Sequence, residues 1–578
     1  MRYRILCLWL CLLLLAGCAK IVVPTGGPRD VTPPSVSKVE PESGTTNFKA
    51  KQIKITFDEF VELNNPLDNT LVSPPLNSSP EFIVSGKSLI MKIKDTLQSN
   101  RTYNIVFSDC IKDFTEGNKL SYFHYTFSTG DYVDSFYLRG TVTNALTLKP
   151  EGGCLVFLYS QEGDTLPMTT RPEYITKTSS DGRFEFSNIA ENSYQVFALK
   201  DLNSDLLYDM GGEGIAFADE RFQALKMLPP DTTSTQPTDS LPTKGRSASR
   251  GVKRDSTSID LQFFIPADTV QKKYKATNPQ KGIYQFPYSL PLFSFEPEVI
   301  KGVLPEHFVV QSELGDTVTW YMKSPLTDTV NFVVQPTEGV YDTLTVLPFK
   351  KTKSSGGRGR QRNAEQTQAL TVKTLYEGDL YKPLTLRFSY PIKPVDNFEV
   401  MLVARKKSGN DTIHKSFSVP DAFVMSLPLP FKLEEKVPYT LLIRDSIFYG
   451  YDGLVNDTIK VQFTTKSEKD YGNLAINYVP DQPGMSYVVE LLGVKDAVIQ
   501  KNIITGQQTI SYDNLIPGSY KIRVVEDRNR NGRWDTGNYF KKEQPEVIFF
   551  FNKPLEIRGF WDLEETFDFK EVRTDKRN

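Results

Sequence analysis

Asn188-Ile189-Ala190-Glu191-Asn192-Ser193-Tyr194 returns 326 residues later as Asn514-Leu515-Ile516-Pro517-Gly518-Ser519-Tyr520. The same offset lays Asp201, Asn203, Asp205 and Asp209 on Asp527, Asn529, Asn531 and Asp535. A spacing shared over more than twenty residues marks a duplicated module. Each copy runs from an Asn-bearing turn into a strand, Tyr194-Gln195-Val196-Phe197-Ala198-Leu199 and Tyr520-Lys521-Ile522-Arg523-Val524-Val525. Upstream of each copy lies a second matched pair. Tyr125-Thr126-Phe127-Ser128-Thr129 and Val461-Gln462-Phe463-Thr464-Thr465 align at an offset of 336, Phe127 on Phe463.

Between these anchors the texture is β. Ile53-Lys54-Ile55-Thr56-Phe57 and Leu384-Thr385-Leu386-Arg387-Phe388 alternate apolar and polar residues with period two, as half-buried strands do. Pro, Gly, Asn and Asp punctuate at short intervals, and no long amphipathic helix is visible. Many short strands without intervening helices predict sandwiches rather than βαβ units. The expected fold class is all-β, a multidomain string of Ig-like domains and further β-sandwiches.

At its start the chain reads as a secretory leader. Met1-Arg2-Tyr3-Arg4 precedes the apolar run Ile5 to Leu15, which is too short to span a bilayer and ends at small residues. Leu15-Ala16-Gly17-Cys18 resembles the lipobox of bacterial lipoproteins, which implies acyl chains on the thiol of Cys18. Ala19 follows where an acidic residue would retain such a protein at the inner membrane, so the resemblance implies a lipid-anchored outer-membrane protein. Its periplasmic or surface face is left open. No later run is long enough to cross a membrane.

The expected organisation is a signal peptide over 1–17, a lipidated Cys and Pro/Gly tether over 18–35 and an Ig-like domain over 36–130. A sandwich with an Asp-rich loop follows over 131–228, then a disordered linker over 229–257, rich in Pro, Ser, Thr and Asp. Residues 258–370 form an unassigned β region with a basic loop at 351–369. A second Ig-like domain over 371–466 and a second sandwich over 467–578 complete the chain.

Ile53-x-Ile55-x-Phe57-x-Glu59-x-Val61, Leu89-x-Met91-x-Ile93, Thr102-Tyr103-x-Ile105, Ile111-x-Asp113-x-x-x-Gly117-Asn118 and Phe127-x-Thr129 resemble the bacterial Ig-like domain of S-layer and other envelope proteins. The second copy keeps Leu386-x-Phe388-Ser389-x-Pro391-Ile392 and Tyr439-x-Leu441, with a blurred Asp-x-x-x-Gly-Asn turn. The segments at 137–228 and 470–560 are similar to transthyretin-like or collagen-adhesin B-type sandwiches. The opening Cys18 to Pro34 looks like that of Ig-like outer-membrane lipoproteins from one large Gram-negative group. These resemblances imply an envelope location and a fold.

Chemistry-bearing residues are sparse. The three histidines, His124, His307 and His414, are far apart, which excludes a HExxH zinc site and disfavours a His-based triad. No Gly-x-Ser-x-Gly elbow, phosphate loop or Cys-x-x-Cys is present, so no enzyme is expected. Cys110 and Cys154, in different expected domains, read as buried free thiols. A net charge of -2 gives no general attraction to nucleic acid. The basic stretches Lys244 to Arg254 and Lys350 to Arg362 read as solvated loops.

The Asp-rich loops carry the one metal-type pattern. Asp201, Asn203, Asp205 and Asp209, with the carbonyl of Leu207, place oxygens at positions 1, 3, 5, 7 and 9, as in an EF-hand loop. Asp527, Asn529, Asn531 and Asp535, with the carbonyl of Arg533, repeat them. Ca²⁺ is the expected structural ion, bound more tightly at the more acidic first loop. Gly532 suits the sharp turn while Leu206 stands at that place in the first copy, and position 12 is Gly212 or Asn538 rather than Glu, although Glu213 lies one residue beyond the first loop. The competing reading is an Asx-rich hairpin that orders itself.

Two functions lead, ahead of a hydrolase in the unassigned region 258–370. The leading one is a non-enzymatic scaffold or interaction arm in an envelope complex, its partner an outer-membrane barrel protein for assembly or uptake. The other is a surface glycan-binding or adhesive lipoprotein, with Trp320, Trp534 and Trp561 as the tryptophans to test for sugar stacking.

Overall fold

Alternating strands need something to bury their apolar face against, and the chain supplies it in pairs of sheets. The computed structural model describes residues 30–209, 212–227, 258–268, 270–349, 369–374, 376–420 and 423–575. The expected signal peptide, Cys18 with most of its expected tether, all of the 229–257 segment and nearly all of the basic loop 351–369 lie outside them. The chain divides into two compact units, residues 1–144 with 149–263, and 145–148 with 264–578. Almost every regular element is a strand; among the described residues the α-helices are Leu166–Thr169 and Phe569–Asp575.

The first unit opens with a sandwich. One sheet orders Val36–Glu40, Gln52–Phe57, Ser88–Lys92 and Glu81–Ser85; the other orders Phe123–Ser128, Thr102–Phe107 and Thr70–Ser73. Ile53, Ile55, Phe57, Leu89, Met91, Ile105 and Phe127 fill the space between them. Each such side chain is worth about 1.5–3 kcal/mol when fully buried. The Asp113-x-x-x-Gly117-Asn118 motif is a turn: the Asp113 carboxylate accepts the N–H groups of Glu116, Gly117 and Asn118 at 2.6, 2.9 and 2.8 Å. Gly117 sits at φ 81°, where only glycine is at ease.

The second domain of this unit pairs Arg183–Ile189, Phe136–Asn144 and Ile259–Phe263 in one sheet, the last strand running parallel to its neighbour. The facing sheet orders Tyr174–Lys177, Leu155–Tyr159, Ser193–Leu199 and Ile215–Phe217. Ile259, Leu261 and Phe263 are buried in its core. This corrects the boundary expected at residue 228: the domain closes only at Phe263, and the polar segment precedes its final strand instead of separating two domains. The two domains of the unit are stitched together by Ile175 N–H on Ser73 Oγ (3.0 Å) and Asn104 Nδ2 on the Ser187 carbonyl (2.8 Å).

The second unit begins with the region that the sequence left unassigned. It is another sandwich, with sheets Thr277–Gln280, Ile283–Pro287, Thr317–Met322, His307–Gln311 and Glu298–Lys301, Val330–Thr337, Val340–Val346 in spatial order. Trp320 fills its centre, edge-on to Phe286 at 4.7 Å and tilted against Phe332 at 4.8 Å. Tyr321 and Phe308 leave that domain to pack on Tyr390, Phe423 and Tyr451 of the next. Gly282, at φ 83°, makes this approach feasible, because a Cβ there would lie 2.2 Å from the Tyr390 hydroxyl.

The 371–466 domain repeats two side-chain bonds of the first one. Tyr103 Oη accepts Gln98 N–H at 2.9 Å and Tyr439 Oη accepts Glu434 N–H at 3.0 Å. Thr129 Oγ1 donates to the Gln98 carbonyl at 2.7 Å, and Thr465 Oγ1 to that of Glu434 at 2.6 Å. All three positions obey the 336-residue offset. One strand changes sides: Glu81–Ser85 pairs with Ser88–Lys92, whereas Gly409–Val419 pairs with Val395–Lys406 in the opposite sheet. The final sandwich has the topology of the second domain, with Asp562–Asp568 parallel to Gly472–Val479 as its closing strand.

Candidate functional site

Both Asp-rich loops leave the end of a central strand, Ser193–Leu199 or Gly518–Asp527. The first side chain organises each. Asp201 Oδ1 and Oδ2 accept the N–H groups of Ser204 (2.6 Å) and Leu206 (2.9 Å); Asp527 accepts those of Asn531 and Gly532, both at 3.0 Å. Asn203 Oδ1 and Asn529 Oδ1 each accept the N–H two residues on at 3.1 Å, and Asp205 and Asn531 do the same at 2.8 and 2.9 Å. Leu206 adopts φ 64° where Gly532 adopts 74°, and Ser204 and Arg530 match at 63° and 62°. The missing glycine therefore does not alter the loop's path.

A glutamate beyond position 12 completes both copies, Glu213 next to that position and Glu546 where fixed spacing missed it. Glu213 Oε1 and Oε2 accept Leu202 N–H (2.8 Å) and Asp209 N–H (2.9 Å); Glu546 accepts Arg528 N–H (2.7 Å) and Asp535 N–H (3.0 Å). The partners correspond at the 326-residue offset, but the glutamates do not. A small hairpin closed by Asn538 and Glu543 pushes the second one along the chain. Both carboxylates are buried, and burial first, then the neighbouring Asp201 and Asp209 or Asp535 and Asp527, raises them above the ordinary glutamate range.

The donor set, carboxylates and amide or backbone carbonyls, is the hard-oxygen chemistry that Ca²⁺ takes. Asn203 Nδ2 donates to Asp205 Oδ2 (3.0 Å) and Asp209 Oδ2 (2.7 Å), and Asn531 Nδ2 donates to Asp535 Oδ2 (2.6 Å). Amide nitrogens thus meet the carboxylates that would otherwise face one another. Among the described residues no group of three or more His, Cys, Asp or Glu is drawn together as a metal centre. Both loops carry the side-chain to backbone bonds of an Asx-rich hairpin.

The histidines lie apart. His124 Nε2 meets Asn104 Oδ1 at 3.0 Å and is held below its usual pKa by burial, His307 lies 4.5 Å from the Trp320 ring, and His414 Nδ1 is 2.7 Å from Glu399. Cys110 and Cys154 are both buried and free; burial pushes the Cys154 thiol up to about 12. Trp320 is fully buried, which removes it as a sugar platform. Trp534 is half-buried and donates Nε1–H to the Glu546 carbonyl at 3.0 Å. Trp561 is exposed.

Residues 30–129 match the bacterial Ig-like domain family, in agreement with the two sheets and the Asp113 turn. No curated protein gives a significant match. Among solved structures, a fragment of Escherichia coli alpha-2-macroglobulin spanning domains MG0-NIE-MG1 aligns at 13% identity over 45% of this chain and 95% of its own, TM-score 0.18. The N-terminal part of the bacterial S-layer protein SbsC aligns at 16% identity over 32% and 44%, TM-score 0.13. BcpA, the major pilin subunit of Bacillus cereus, aligns at 9% identity over 75% and 98%, TM-score 0.13. Alignments this loose carry no argument about activity. No helix among the described residues is long and apolar enough to cross a membrane.

Proposed function

We propose that this chain is a non-enzymatic interaction arm of the bacterial envelope, anchored to the outer membrane through acylated Cys18. The observation that supports it best is the duplicated Ig-like and Asp-loop pair, in which the motif residues hold turns and strand ends together. Asp113 in the first copy, and Tyr103, Thr129 and Glu213 with their counterparts Tyr439, Thr465 and Glu546, all bond to backbone groups. Rigid sandwiches project from the lipid, and their loops and strand edges engage an outer-membrane barrel protein. Labelling growing cells with a radioactive or clickable fatty acid tests the anchor. Label on the wild-type chain and none on Cys18→Ala supports it; equal labelling rejects it.

Calcium belongs to the same reading as a structural ion. Asp201, Asn203, Asp205, Asp209, Glu213 and the Leu207 carbonyl would hold it in the first loop. In the second, Asp527, Asn529, Asn531, Asp535, Glu546 and the Arg533 carbonyl would do so. The ion would supply positive charge to the loop carboxylates around the buried Glu213 and Glu546 and would stiffen two loop ends.

A further inference from the structure

Leu384, Leu386 and Phe388 turn into the core of the second Ig-like domain, so Thr385 and Arg387 between them face outward. They line a concavity of about 430 Å³ with Lys382 and Lys466 of the same domain and Ile516 of the final sandwich. That volume is in the range of small-molecule sites. Backbone contacts fix its wall. Lys466 N–H donates to the Gly378 carbonyl at 2.8 Å. Gly378, at φ 78°, lies so close to the next strand that a Cβ would stand 2.1 Å from the Thr464 carbonyl. On the other side Ile516 belongs to the Asn514 turn, its carbonyl accepting the Tyr520 hydroxyl at 2.6 Å.

Cations outnumber carboxylates here. Lys382, Arg387 and Lys466 line the concavity, and Lys373 stands directly opposite Arg387 on the neighbouring strand, so both side chains leave the same face. Against these four stand Glu377 and Asp379. Asp379 is already engaged: Oδ1 accepts Tyr381 N–H at 2.9 Å and the Tyr471 hydroxyl at 3.2 Å, and Lys382 Nζ approaches Oδ2 at 4.0 Å. Among the described residues Lys373, Arg387 and Lys466 have no ion pair. They leave an excess of two positive charges over Glu377. Like charges directly opposite on paired strands are destabilising, and an anion between them offsets that cost. The first copy of the domain pair lacks the arrangement. By the 336- and 326-residue offsets Gly130 replaces Lys466 and Ala190 replaces Ile516, and direct bonds such as Asn104 Nδ2 on the Ser187 carbonyl close that junction. The fold therefore does not require these cations.

We infer that this concavity binds a phosphate monoester. Such a group carries about −1.5 to −2 charges near neutral pH, which matches the excess of two, whereas a carboxylate brings one. The Arg387 guanidinium fork engages two phosphate oxygens at once, and Lys373 and Lys466 act as point charges. The Thr385 hydroxyl, held by a 3.3 Å bond to the Pro383 carbonyl, adds a donor. Pro383 and Ile516 give an apolar wall to the group that bears the phosphate. A soluble sugar and a lipid headgroup present the same phosphate chemistry. The site goes beyond the arm reading and needs neither lipidation nor calcium.

Two titrations of the full mature chain separate the sources: calorimetry with glucose 6-phosphate, and flotation with phosphatidylcholine vesicles containing phosphatidic acid. Glucuronate, glucose and pure phosphatidylcholine vesicles are the comparison ligands. Arg387→Gln and Lys466→Gln remove charge with little change in packing, Lys466→Arg keeps it, and Lys501→Gln removes an exposed lysine elsewhere. The expected result is saturable binding of glucose 6-phosphate, or of the phosphatidic acid vesicles alone where the phosphate is lipid-borne. Binding should be about tenfold or more tighter than to the matching comparison ligand. Either Gln variant at the site should weaken it by about tenfold or more, with circular dichroism unchanged, while Lys466→Arg and Lys501→Gln retain it. Failure of both phosphate ligands to bind, glucuronate binding as tightly, or a loss no greater at Arg387 and Lys466 than at Lys501 would overturn the inference.

Discussion

Glu213 and Glu546 each place both carboxylate oxygens on backbone N–H groups of an Asp-rich loop while burial raises their pKa. Between the ordinary glutamate pKa and that raised value the folded chain binds more protons than the unfolded chain. The contribution of these groups to stability is therefore largest on the acid side and declines as pH rises through the folded pKa. Thermal melts of the wild type and of Glu213→Gln/Glu546→Gln from pH 4.5 to 7.5 check this: the declining component should vanish in the variant. Each single Gln substitution leaves a backbone donor poorly matched and should cost about 1–3 kcal/mol. Tyr194 and Tyr520 repeat at the same scale, donating to the Ala190 and Ile516 carbonyls at 2.9 and 2.6 Å. Tyr194→Phe should lower stability by about 1 kcal/mol in chemical denaturation. The Asn188-to-Tyr194 repeat was legible in the sequence because both Asn188 (φ 53°) and Asn514 (φ 56°) serve a left-handed turn. Glu546 was not, because an inserted hairpin changes its spacing while leaving its hydrogen bonds intact.

At the scale of elements, alternation identified strands and turn residues identified their ends, but neither states which strand a segment joins. Ile259–Phe263 pairs with Phe136–Asn144 across a polar stretch that hides the connection. Leu261, 1% exposed in that strand, gives the check. Leu261→Ala should destabilise the first Asp-loop sandwich by about 2–5 kcal/mol, and proteolysis of the folded variant should open residues 136–263 before 30–129. A variant as stable as the wild type would detach the strand from that core. The strand that changes sheets between the two Ig-like copies was equally invisible, since neither Glu81–Ser85 nor the largely polar Gly409–Val419 states in its own residues which neighbour it pairs with. The 264–349 sandwich escaped assignment because it has no second copy to align with.

For the whole molecule, two Ig-like domains, two Asp-loop sandwiches and one unrepeated sandwich are joined with their motif residues engaged in turns and strand ends. If the loops take Ca²⁺, millimolar Ca²⁺ should raise the midpoint of thermal unfolding at neutral pH, more for the first unit than the second, since Asp201, Asp205, Asp209 and Glu213 outnumber Asp527, Asp535 and Glu546. Asp201→Ala with Asp527→Ala should abolish the shift. An unchanged midpoint in the wild type would leave both loops as self-ordered hairpins.

The interaction-arm reading is tested most directly by affinity purification of the tagged, lipidated chain from detergent-solubilised outer membranes, with quantitative mass spectrometry of what accompanies it. The reading predicts a β-barrel protein recovered in fixed stoichiometry. Recovery of the chain alone, at expression levels matching the native one, would contradict it.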